Sequence, residues 1–214
     1  MIAPSSLKYV KLKDYQKFSL IENPSNEDLI KCITGINSLD LAKLKAVKVD
    51  NLTNELSKLF DVESKFISEF TIYGITYGFI PKLDDITYGE NKDITSYIND
   101  WGNMHKAMAV LYRPIKKKYG SKYLIEDYEG SHVYSEVMKD MPLNVVMGAM
   151  VFFYNLTNVL LNCIPRYLES QTKEIQTITA DSEKNGQDIQ NCIAYLKETL
   201  QSLKKLQDSP FISV

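Results

Sequence analysis

The chain has 214 residues but only two histidines, His105 and His132, two arginines, Arg113 and Arg166, nine glycines and three cysteines. Each shortage removes a class of chemistry. A histidine-based triad needs a nucleophile and an orienting carboxylate around one imidazole. His105 falls at a core-spaced helical position and His132 in a loop beside Ser131, so neither occupies a nucleophile elbow. No His/Cys pair has ligand spacing, and two histidines cannot supply a three-histidine zinc site. Neither G-x-x-x-x-G-K-[ST] nor G-x-G-x-x-G occurs, which leaves no glycine loop to cradle a phosphate. Cys32, Cys163 and Cys192 are odd in number and lack Cys-x-x-Cys spacing, so they read as buried thiols in a reducing cytoplasm. Asp84, Asp85, Glu90 and Asp93 lie within ten residues but do not match a calcium-loop pattern, and a solvated acidic turn explains them better than a metal site. Glu126, Asp127 and Glu129 have no recognisable acid/base partner. Neither an enzyme nor a cofactor is expected.

What is present is an ordinary folded composition, 44% hydrophobic and 24% charged. Lys+Arg 25 against Asp+Glu 27 gives a net charge of -2, too little positive charge to gather phosphate backbones or anionic lipid unaided. That total hides a pattern. Residues 1–60 sum to +2, 61–100 to -5, 101–130 to +3, and 131–170 and 171–214 to -1 each. The adjacent acidic and basic blocks either complement each other within the fold or face partners of opposite sign. The amino terminus reaches Lys8 and Lys11 without an apolar core segment, so no secretory signal is expected.

Along the chain, Leu12, Tyr15 and Phe18 recur at helical spacing, and Ser25 with Asp28 predicts a capped helix that ends at Thr34-Gly35. Ser38 is expected to cap the next helix and Asp50 the one after it. Phe66 to Ile80 reads as strand, turn, strand, and 81–90 as an irregular acidic loop. A helix is expected from Asp93 or Thr95 to the neighbourhood of Pro114, followed by an exposed lysine turn and a short strand at 122–128 that pairs with the earlier hairpin. The apolar run 142–164 carries Asn144, Asn155, Asn158 and Asn162, which favours a buried central helix over a membrane span. After a polar stretch, Ile189, Ile193, Leu196, Leu200 and Leu203 form a two-heptad seam for a partner, a neighbouring subunit or the home domain. The fold class expected is mostly α within α+β: a helical body around a central buried helix, a small irregular β-hairpin or sheet, and a C-terminal helical arm. The divisions are 1–60, 61–168 and 169–214.

One segment could meet nucleic acid, since Arg113, Lys116, Lys117, Lys118 and Lys122 alternate with Tyr119 and Tyr123. A solvated turn, or a patch that answers an acidic neighbour, explains it with fewer assumptions.

Several short blocks carry a family resemblance: Tyr77-Gly78-Phe79-Ile80-Pro81 with Leu83, Ile86-Thr87 with Gly89-Glu90, Met108 to Ile115 including Arg113-Pro114, and Met141-Pro142-Leu143 with Phe152-Phe153. The set resembles small proteins of tailed bacteriophages, most of all the crAss-like phages of Bacteroidetes and, more loosely, tail-assembly chaperones. With Leu12-Lys13-Asp14-Tyr15-Gln16 and Ile33-Thr34-Gly35-Ile36, which fit the same style, it spans about residues 12–165. The resemblance implies a virion structural or packaged protein that contacts portal, tail or capsid proteins, located in the virion and, during assembly, in the host cytoplasm. The alternatives are a tail-assembly chaperone absent from the mature particle and a nucleic-acid-binding or host-directed factor. A homo-oligomer is compatible with each, and no membrane partner is expected.

Overall fold

The computed structural model describes residues 3–156, and the chain divides into two units, Met1–Ala149 and Met150–Val214. The described residues have an α+β fold. Helix α1 (Leu12–Ser19) buries Leu12, Tyr15 and Phe18, as their spacing predicts. Helix α2 (Asn26–Thr34) opens on the expected capping box: the Asp28 amide donates to Ser25 Oγ at 3.2 Å, and the Ser25 amide donates to Asp28 Oδ2 at 3.1 Å. Gly35 closes it at φ +72°, a left-handed conformation that glycine takes without penalty.

Two caps differ from expectation. Helix α3 (Ser38–Ala42) is capped by Asn37, whose Oδ1 accepts from the Asp40 amide at 2.8 Å, and Ser38 is already inside it. Helix α4 (Ala46–Phe60) starts ahead of Asp50, which sits within its first two turns. Nothing between Ala46 and Val49 breaks a helix, so the α4 pattern extends back to an extended Lys45.

Strands β1 (Glu69–Ile72) and β2 (Ile75–Phe79) form the predicted hairpin. Both turn residues, Tyr73 and Gly74, have positive φ, the backbone that matches the twist of a two-residue hairpin. The acidic loop is shorter than expected. After a 3₁₀ turn at Leu83–Asp85, helix α5 (Tyr88–Tyr97) begins ahead of Asp93 because Thr87 and Glu90 make a second capping box. The single helix expected from 93 onward is broken into α5, a 3₁₀ turn at Trp101–Asn103 and α6 (Met104–Leu111). Asp100 supplies the break: its carboxylate accepts from the Gly102 amide at 2.8 Å and from Asn103 Nδ2 at 2.6 Å, in competition with the helical ladder.

Strand β3 (Tyr112–Tyr119) follows α6 directly, since Pro114 disfavours helix at Arg113. Strand β4 (Lys122–Ile125) pairs with β3 rather than with the earlier hairpin, which gives an antiparallel sheet of order β1-β2-β3-β4. The lysine run therefore lies on a strand, and the turn is Gly120-Ser121, with Gly120 at φ +61°. Phe70, Tyr77, Phe79 and Tyr112 meet ring to ring at centroid distances of 5.2–5.5 Å and form the aromatic side of the core.

Helix α7 (Ser135–Met138) precedes a further helix, α8, over residues 143–156, in which Leu143, Val145, Val146 and Ala149 are buried. A Cβ at Gly148 would lie 2.2 Å from the carbonyl oxygen of Lys65, so the backbone at 65–66 rests directly on this helix. The N-terminal segment is stitched to the start of α8. The Leu12 amide donates to the Met141 carbonyl at 2.9 Å, Lys13 to Lys139 at 2.8 Å, and Leu143 to Val10 at 2.8 Å. Asp140 adds a charged clasp, gathering Lys11 Nζ at 2.9 Å, Lys13 Nζ at 2.8 Å and the Tyr73 hydroxyl at 2.5 Å. These donors hold its carboxyl well below the usual carboxylate range.

Candidate interaction site

The basic segment is the natural starting point, and its first member departs from expectation. Arg113 is buried, not part of a surface patch. Its Nη2 donates to Glu90 Oε1 at 2.6 Å, with the two side chains 7% and 5% exposed. Glu90 is correspondingly not a solvated acidic residue, because its second oxygen accepts from the Thr87 amide at 2.6 Å while the first holds the guanidinium. The Tyr128 ring lies 5.6 Å from the guanidinium, and its hydroxyl donates to Asp93 at 2.5 Å. Burial and the Asp93 carboxylate push that phenol well up. The start of α5 is thereby locked to β3 by an ion pair and a tyrosine.

Three of the blocks that carry the resemblance meet here. Tyr77, Gly78 and Phe79 lie on β2, followed by buried Ile80 and exposed Pro81, and Gly78 is the register partner of Arg113. Gly89 and Glu90 start α5, where a Cβ on Gly89 would touch the Tyr128 ring at 3.4 Å. Gly78 has its own reason to be glycine: a Cβ there would fall 2.5 Å from the Tyr123 ring. Tyr123 reaches from β4 over Gly78 and donates to the Phe79 carbonyl at 2.9 Å.

The remaining lysines divide into two groups. Lys116 pairs with Asp127 at 2.8 Å and Lys118 with Glu69 at 2.6 Å. Lys117 and Lys122 are exposed and have no acidic partner among the described residues. The acidic and basic blocks thus complement each other within the fold at Glu90–Arg113 and Glu69–Lys118. Beside them a cleft of about 210 Å³ is lined by Arg113, Lys116, Glu126, Tyr128, Glu129 and Tyr134 among others. Tyr134 donates to Glu126, and burial with that carboxylate pushes its phenol up to about 12. Groups in this arrangement bind and orient one another.

His105 holds the packing position read from its spacing. Gln16 Nε2 lies 3.0 Å from its Nδ1 and donates to the Trp101 carbonyl at 2.7 Å, which ties α1 to α6. Burial, then Lys139 and Lys106, hold the imidazole below its ordinary value. Cys32 is half-buried rather than buried, and partial burial raises its thiol. Among the described residues no group of His, Cys, Asp and Glu could hold a metal, and no helix is long and apolar enough to cross a membrane. The seam at Ile189, Ile193, Leu196, Leu200 and Leu203 lies outside the described residues. Spacing placed Asp93 in an acidic cluster and Tyr123 beside the lysines, but not Asp93 under the Tyr128 hydroxyl or Tyr123 over Gly78, because those contacts depend on helix–strand and cross-strand neighbours.

Comparison of the chain with known protein families, curated proteins and solved structures finds no match.

Proposed function

We propose that this chain is a non-enzymatic structural or virion-packaged protein of a tailed bacteriophage, acting by protein–protein contact in the portal, tail or capsid region. The observation that carries the contact reading is the spending of the basic segment inside the fold. Arg113, Lys116 and Lys118 are taken by Glu90, Asp127 and Glu69. The surface left over mixes Lys117 and Lys122 with exposed Tyr119 and Leu124. Such a mixture suits a protein interface, whereas a phosphate track needs a longer row of unpaired cations. The phage assignment rests on the short blocks described above. In this reading the helix that starts at 143 is the central packing element, and 169–214 is an arm whose seam at 189–203 meets a partner.

Mass spectrometry of purified particles tests it. Detection of the chain in mature virions is the expected result, and its absence overturns the virion role. Co-purification with a tail subunit before assembly, followed by loss from the particle, assigns the chaperone role instead.

A further inference from the structure

Two surfaces of the first unit carry unspent charge of opposite sign. On the β3–β4 ribbon, Lys117 stands opposite Leu124 and Tyr119 opposite Lys122, so alternation puts these four side chains on one face. All four are exposed, Tyr119 at 66% and Leu124 at 58%. The other face is already used, since Lys118 reaches Glu69 and Tyr123 crosses Gly78. The second surface is the 3₁₀ turn Leu83–Asp85 and the start of α5. Asp84 and Asp85 are exposed with no cationic partner among the described residues, and Tyr88 beside them is 83% exposed. Two unpaired lysines with a tyrosine and a leucine thus have a counterpart in two unpaired aspartates with a tyrosine.

We propose that the Lys117–Tyr119–Lys122–Leu124 face of one copy docks on the Asp84–Asp85 turn of a second copy. The inference rests on the contact reading above and names its partner. Charge complementarity within one sequence selects a second copy: the lysines and the aspartates do not pair within a chain, yet match in number and opposite sign. A phosphate backbone fits less well, because only two lysines on this face are unpaired among the described residues, and apolar Leu124 stands directly opposite one of them. The two patches are different parts of the surface, so the contact is either a reciprocal two-fold pair or a head-to-tail step that closes into a ring or continues as a filament.

Sedimentation velocity of the full chain over a wide concentration range, at low and high salt, tests the proposal. The expected result is self-association that weakens with salt. Lys117→Glu with Lys122→Glu, or Asp84→Lys with Asp85→Lys, should each weaken it at least about tenfold by setting like charges against each other. An equimolar mixture of the two double variants should associate again, since each reversed patch then meets an opposite charge. Circular dichroism of each variant shows that the fold is kept, and recovery in the mixture has no explanation in misfolding. A wild-type chain that stays monomeric at low salt overturns the proposal, as does association untouched by both reversals or a mixture that fails to recover. A monomeric chain that binds an oligonucleotide through Lys117 and Lys122 also overturns it and assigns the face to a phosphate backbone. Self-association by a chain absent from particles leaves the proposal standing while the virion role falls.

Discussion

Removing one member of the Glu90–Arg113 pair should be among the most damaging single changes in the described fold. Both side chains are more than nine-tenths buried, 2.6 Å apart, and they connect the first turn of α5 to the middle of the sheet. Arg113→Met leaves the Glu90 carboxylate in the core without its cation, while Glu90→Gln leaves the guanidinium without its anion but keeps an oxygen for the Thr87 amide. An ion stranded in this way costs about 3–5 kcal/mol. The double variant strands no charge, so its loss should fall short of the summed single losses by at least about 2 kcal/mol. Equilibrium urea unfolding followed by far-UV circular dichroism measures all four corners of the cycle, with unchanged slopes confirming that only stability has moved. Single losses below about 1 kcal/mol, or additive ones, would refute the assignment of Arg113 to the interior.

Two further predictions concern other parts of the first unit. Gly148→Ala places a methyl group 2.2 Å from the Lys65 carbonyl oxygen, a clash with backbone that cannot rotate away. Its cost should be at least about 1–3 kcal/mol, read as a lowered urea midpoint. Asp140, whose carboxyl is held below its ordinary 3.8, should contribute stability fully above that value and lose it as the pH falls toward the depressed folded value. The stability difference between the wild type and Asp140→Asn should therefore be constant near neutrality and shrink below about pH 4; a difference that grows on acidification contradicts the clasp.

What was legible in the sequence was local. Ser25 with Asp28, Gly35, and the strand, turn, strand of 66–80 announce themselves because each works through neighbours within a few residues. The second capping box was equally local, but Glu90 sat among Asp84, Asp85 and Asp93 and read as one more solvated carboxylate. The lysine run misled for the opposite reason. Three consecutive lysines look like a turn, yet strand β3 can carry them because it leaves the core after Pro114 and its far half is wet on both faces. Arg113 was out of reach altogether, since its burial depends on Glu90, 23 positions earlier, arriving from another element. Of the candidate surfaces, the charge blocks were visible, and which charges they would spend on each other was not.

The stitching of Val10–Lys13 to Lys139–Leu143 has a consequence for how the chain is made. The two halves of this seam are separated by roughly 130 residues, which a ribosome working at about 5–20 residues per second takes some 6–26 seconds to deliver. For that interval the amides of Leu12 and Lys13 and the carbonyl of Val10 have no native acceptors or donors to meet. Residues 10–13 thus emerge well before the partners at 139–143 that secure them. A nascent chain stalled before Lys139 exposes an N-terminal edge that a completed one covers.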